Sequence, residues 1–92
     1  MNRKKFKITQ EQIDDGLPAG KHFVGGGTGL LLRVYPNGSS QWVARVTVRG
    51  RRREMGLGSP LYVTLEEAVD QCRANKAICI RGGDPIEIRK LS

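Results

Sequence analysis

Acidic residues, histidine, cysteine and aromatic residues are all scarce in this 92-residue chain. Nine Asp and Glu stand against sixteen Lys and Arg, with one histidine, two cysteines and 5% aromatic residues. One histidine and two cysteines are too few for a zinc site of Cys and His ligands. Cys72 and Cys79 lie seven residues apart on a predicted helix, about 10 Å of rise, which is too far for a disulfide. We therefore expect no metal, no cofactor and two reduced thiols.

Long apolar runs are also missing. No stretch approaches the roughly 18–20 apolar residues that cross a bilayer. The basic residues 1–7 are not followed by the apolar segment of a secretory signal. These absences predict a cytoplasmic protein without a membrane partner.

Positive charge is what the chain has in excess, and most of it lies in one stretch. The formal net charge is +7 and the isoelectric point is near 10.0. Residues 17–63 contain seven cations against one acid, Glu54, and six of the seven are arginine. Arginine suits bidentate contacts with phosphate and guanine, so this stretch has the electrostatic character of a nucleic-acid-binding surface.

The order of strand, turn and helix signals predicts an α+β fold. Residues 30–35, 41–48 and 51–57 are rich in strand-forming residues and are separated by the turns Asn37-Gly38 and Arg49-Gly50. Thr64 and Glu67 then form a capping box for a helix that ends near Gly82. We expect a three- or four-stranded antiparallel sheet packed against one C-terminal α-helix, through a stripe that includes Cys79 and Ile80.

The same signals suggest three segments. Residues 1–28 read as a basic tail and leader loop, in which Thr9 caps a short helical turn. Residues 29–85 form the sheet-plus-helix domain. Residues 86–92 read as the start of a linker to a catalytic part that this chain lacks.

Alternation along the strands assigns the candidate site. Trp42, Val46 and Met55 fall on the face that the helix covers. The opposite face is expected to carry arginines for base edges and phosphates, and the neighbouring hairpin tip carries more arginines for phosphates. The predicted nucleic-acid contacts are Arg33, Tyr35, Arg45, Thr47 and Arg52 on that face, with Arg49, Arg51 and Arg53 at the tip.

Several short segments, in this order and spacing, resemble the N-terminal arm-binding domain of phage and prophage tyrosine recombinases (integrases). They are GLLLRV at residues 29–34, NGS at 37–39 with Trp42, GRRR at 50–53, LGS at 57–59, VTLEEA at 63–68 and GDPI at 83–86. Each segment alone is mostly turn and core chemistry, and it is their series that carries the resemblance.

The resemblance implies a module that binds arm-type repeats in double-stranded DNA, with its sheet in the major groove, during DNA integration and recombination. It also implies a bacterial host, association with the nucleoid, and other integrase protomers as neighbours. Tyr35 and Tyr62 lack the Arg, His and Lys companions of a recombinase nucleophile, so we expect Tyr62 to be a packing residue and the chain not to be an enzyme. Two alternatives remain open. One is an RNA-binding β-sheet protein, and the other is a protein-interaction module of the integrase assembly.

Overall fold

The computed structural model describes residues 6–91, so residues 1–5 of the predicted tail and residue 92 lie outside the described part. The described chain forms three helices and four strands in the order α1 (Gln10–Asp15), β1 (Gly20–Phe23), β2 (Leu30–Val34), β3 (Ser40–Val48), β4 (Arg51–Gly58), α2 (Leu65–Ile80) and α3 (Pro85–Leu91). The strands make one antiparallel sheet in the order β1-β2-β3-β4. The predicted α+β class is confirmed, with four strands.

Capping interactions set the helix starts that the sequence indicates. The Thr64 side chain accepts a hydrogen bond from the Glu67 N–H, and the Glu67 carboxylate accepts one from the Thr64 N–H. Thr9 and Gln12 form the same reciprocal box at α1. These bonds satisfy backbone donors that no turn of the helix can satisfy.

The hydrophobic core lies between the sheet and the helices. Trp42 is fully buried and its indole N–H donates to the Val63 carbonyl at 2.8 Å. The first half of α2 contributes Leu65, Ala68, Val69 and Cys72 to the same cluster. Burial raises the pKa of the Cys72 thiol to about 11, against a smaller opposing effect of Lys76. Cys72 and Cys79 are both free thiols.

The second half of α2 does not follow the predicted stripe to its end. Cys79 packs against the core, but Ile80 is 79% exposed. A groove of about 610 Å³ lies between this end of the helix and Ala44 and Val46 of the sheet. The prediction that Ile80 contacts the sheet is therefore wrong, because the helix has moved away from the sheet by its last turn.

Residues outside the predicted domain also belong to the folded unit. Within residues 1–28, β1 pairs with β2 from Gly20↔Val34 to Phe23↔Leu31, and Ile8 is buried in the core. Residues 86–91 of the predicted linker lie in α3, which begins at Pro85, and the Asp84 carboxylate caps this helix by accepting from the Ile86 N–H at 2.9 Å. The leader therefore supplies β1, which makes the sheet four-stranded. The residues expected to begin a linker form the helix α3.

Candidate nucleic-acid interface

The sheet has one face that the helices do not cover. Leu31 and Val43 are directly opposite each other in the register and are buried, but they are not part of the cluster that holds the helices. We call the face that they share the free face. Around this apolar centre the strands place Lys21, Phe23, Arg33, Gln41, Arg45, Thr47, Arg52 and Glu54.

Two of the predicted arginines converge on one carboxylate of this face. Arg33 Nη2 lies 3.5 Å from Glu54 Oε1, and Arg45 Nε lies 3.6 Å from Glu54 Oε2. The three residues come from three strands, with Arg45 directly opposite Glu54 in the register. Both arginine side chains keep 31% of their surface exposed and Glu54 keeps 40%, so the cluster remains accessible to a ligand.

Arg45 is also held from the other side by an aromatic ring. Its guanidinium carbon lies 4.8 Å from the centroid of the Phe23 ring on β1, within the range of a cation–π contact. The contact joins β3 to β1 over β2, the strand between the two residues. Residues 20–23 show no apolar alternation of their own, so the sequence pattern does not single out Phe23.

Tyr35 reaches the free face from the end of β2. Its hydroxyl donates to Gln41 Oε1 at 3.4 Å. Gln41 is opposite Arg33 in the register. Tyr35, one of the predicted nucleic-acid contacts, therefore lies beside Arg33. Gln41 adds a polar side chain at the same place, which the sequence pattern does not single out.

The β3–β4 hairpin carries the other arginines of the predicted set. Thr47 and Arg52 are opposite each other on the free face and both are exposed. The turn itself is Arg49-Gly50, closed by the pair Val48↔Arg51. Arg49 has φ +51° and is the only non-glycine residue in the described chain with positive φ. A side chain in this left-handed region costs roughly 1–2 kcal/mol, so the hairpin presents Arg49 at a conformational cost.

Two arginines of the predicted set leave the sheet on the other side. Arg51 is opposite Val48 and Arg53 is opposite Val46, and both valines face the helices. Arg53 Nη1 lies 3.6 Å from Asp84 Oδ2, and the Asp84 side chain is only 9% exposed. The structure therefore brings together Arg33, Tyr35, Arg45, Thr47 and Arg52, places Arg49 at the tip, and separates Arg51 and Arg53 from the free face.

Tyr62, expected as a packing residue, is 84% exposed, and its neighbour Leu61 is 83% exposed. The turn of residues 59–63 is held instead by backbone bonds from Tyr62 and Val63 to the Ser59 carbonyl. The packing role predicted for Tyr62 is wrong, because Val63, and not Tyr62, is directed at the core.

Residues 4–92 match the family model of the arm DNA-binding domain, which is found in phage integrases. The chain belongs to this family. A search of the curated proteins finds no match. The resemblance noted from the sequence segments is thus confirmed, and the chain is a DNA-binding module of the integrase type, for which the family implies double-stranded DNA as partner. The arm DNA-binding domain is a binding module and not a catalytic one.

Residues 6–91 contain no helix that combines the length and the hydrophobicity of a membrane-spanning segment. In the same range, no three His, Cys, Asp or Glu side chains come together as metal ligands.

Proposed function

We propose that this arm DNA-binding domain recognises a specific double-stranded DNA element through its free face, within an integrase that integrates and recombines DNA. The observation that carries this proposal is the convergence of two partly exposed arginines from neighbouring strands on a sheet face that no described helix covers. A small sheet of this kind fits the major groove of B-DNA, which is about 12 Å wide and exposes the distinguishing edges of all four base pairs.

The predicted contacts divide into two groups by position. Arg33 and Arg45 lie near the centre of the free face, where they would meet base edges, with Tyr35 and Thr47 at the periphery. Arg49 and Arg52 lie at the hairpin, where they would contact phosphates. Arg51 would reach DNA only where a DNA strand passes the hairpin tip. Arg53 would have to break its ion pair with Asp84 before it could contact DNA.

The free face suits duplex DNA better than single-stranded RNA. Sheets that bind single strands offer aromatic faces for base stacking. Here the ring of Phe23 is covered on one face by the Arg45 guanidinium, and the Tyr35 hydroxyl is tied to Gln41. The RNA-binding alternative therefore has little stacking surface among the described residues.

A protein-interaction role is supported by a separate surface. Leu61 and Tyr62, in the turn between β4 and α2, are 83% and 84% exposed. Neither is in a strand of the free face, so contact of this turn with another integrase protomer would not compete with DNA. We propose this as a second function of the same module.

The test begins with selection from a library of randomised duplexes, followed by fluorescence-anisotropy titration of the selected and scrambled duplexes at two salt concentrations. We expect an enriched sequence motif and binding that weakens with salt. Arg33→Ala and Arg45→Ala should abolish the preference for the motif. Arg73→Ala is the matched control, because Arg73 is an exposed α2 cation paired with Asp70. The absence of any enriched motif would refute sequence-specific recognition, and tighter binding to single-stranded RNA would favour the RNA alternative.

A further inference from the structure

Glu54 is the one acidic residue in the four described strands. It lies on the edge strand β4, within ion-pair distance of two arginines of the surface proposed to bind an anion. Its two carboxylate oxygens face different arginines, Arg33 at 3.5 Å and Arg45 at 3.6 Å. A negative charge at this place opposes phosphate binding. Its presence therefore requires a reason other than general affinity for DNA.

Stability alone does not supply that reason. Ion pairs of partly exposed side chains contribute little to stability, and both contacts are longer than a charge-assisted hydrogen bond of about 2.8 Å. Arg45 Nε is buried and has no hydrogen-bond partner within the described residues. The arrangement thus positions the carboxylate and the guanidinium side by side without saturating either group.

The side-by-side arrangement matches one edge of a base pair. In the major groove, guanine presents two acceptors, O6 and N7, and the cytosine paired with it presents a donor, the N4 amino group. A guanidinium supplies donors for the first base, and a carboxylate supplies an acceptor for the second. Arg45 is the suitable arginine because it is opposite Glu54 in the register and is held by Phe23.

We infer that Glu54 is a specificity-determining residue that reads the cytosine of a G·C pair whose guanine is read by Arg45. This inference rests on the proposed function, since it assumes that the free face enters the major groove. Glu54 then also disfavours a thymine or a guanine in place of that cytosine, because its charge would face the O4 of the thymine or the O6 of the guanine with no donor to meet it.

The test compares Glu54→Gln with wild type on the selected duplex, on its single-base-pair variants and on scrambled duplex. The amide introduced by Glu54→Gln keeps one acceptor but gains a donor that can meet a thymine O4 or a guanine O6, so discrimination against replacing that G·C pair should fall by up to the roughly 5- to 150-fold of a good base contact. Affinity for scrambled duplex should rise. Glu66→Gln, which removes an exposed acid from the first turn of α2, is the matched control for net charge and should leave discrimination unchanged.

Glu54→Asp provides a second variant that keeps the charge but shortens the side chain. It should also lose discrimination, without the gain in affinity for scrambled duplex. Thermal unfolding of each variant verifies that it is folded. If wild type selects a motif but Glu54→Gln and Glu66→Gln change binding to all duplexes by the same factor, the inference about Glu54 is wrong and the proposed function stands. If wild type selects no motif, both are wrong.

Discussion

The Arg45 guanidinium carbon lies 4.8 Å from the centroid of the Phe23 ring, across the strand that separates β1 from β3. This contact makes the short first strand part of the candidate interface. It restricts the long, flexible arginine side chain before any DNA arrives, so less conformational entropy remains to be lost on binding. Under the proposed function, Phe23 therefore acts on DNA through Arg45.

We expect Phe23→Leu to weaken binding to a selected duplex by roughly 2- to 5-fold, the value of an exposed cation–π contact of about 0.5–1 kcal/mol. Phe23→Tyr keeps the aromatic face and should bind like wild type. Anisotropy titrations of the two variants at one salt concentration measure the difference. Equal affinities for Phe23→Leu and Phe23→Tyr would contradict a role for the ring.

Local signals were sufficient to predict the elements whose starts and turns depend on neighbouring residues. The Thr64–Glu67 box predicts α2 because both capping partners lie within four residues of each other. β1 was not predicted, because Lys21 and His22 give no apolar alternation and the strand exists through its pairing with β2. What defines β1 is a partner strand and not its own composition.

In the candidate site, too, local sequence signals predict some features and the tertiary fold determines others. Alternation correctly placed Arg33, Arg45 and Arg52 on one face, because parity along a strand is a local property. Parity also puts Arg53 with Met55 on the helix side, a signal that the assignment of Arg53 to the hairpin tip overlooked. Its partner Asp84 lies beyond α2 in the sequence, so the ion pair required the tertiary fold.

Arg52 and Arg53 are neighbours in sequence with opposite expected roles. Arg53→Ala leaves the carboxylate of Asp84, which is nearly buried, without its counter-charge. Because Arg53 itself is 44% exposed, we expect a loss of only about 1–2 kcal/mol in the free energy of unfolding. Arg52→Ala should leave stability unchanged and lower the dependence of log K on log salt by about one.

Urea unfolding and salt-dependent anisotropy of both variants test this pair. Asp84→Asn keeps an acceptor for the Ile86 N–H and serves in a double-mutant cycle with Arg53→Ala. A coupling energy near zero would show that the ion pair contributes nothing. A larger stability loss for Arg52→Ala than for Arg53→Ala would contradict the assignment of the two faces.

The positive φ of Arg49 leads us to expect that a substitution at this turn can stabilise the protein and weaken its binding to DNA. Arg49 and Gly50 both have positive φ, as a two-residue type I′ hairpin requires, and Asn-Gly is the preferred pair for such a turn. Arg49→Asn should raise the free energy of unfolding by about 0.5–1 kcal/mol. It should also weaken all duplexes alike, because a phosphate contact is lost. Chemical denaturation together with titration of selected and scrambled duplexes measures both effects, and a less stable variant would contradict the prediction.

Replacing Gly27 or Gly29 by alanine distinguishes the cost of a positive φ from the cost of a steric clash. Their φ angles are +72° and +71°, but a Cβ on Gly29 would lie 2.8 Å from the Arg45 carbonyl oxygen, whereas one on Gly27 would meet nothing within 4 Å. We expect Gly27→Ala to cost about 1 kcal/mol of unfolding free energy and Gly29→Ala to cost about 2–4 kcal/mol.

The Gly29 carbonyl also accepts from the Arg45 N–H at 2.8 Å, so a shift there moves the backbone that carries Arg45. Gly29→Ala should therefore lose affinity for a selected duplex under conditions in which it is still folded, while Gly27→Ala should not. If urea unfolding shows equal stability losses for Gly27→Ala and Gly29→Ala, the backbone at Gly29 and Arg45 can move apart at no cost in free energy, and the prediction is wrong.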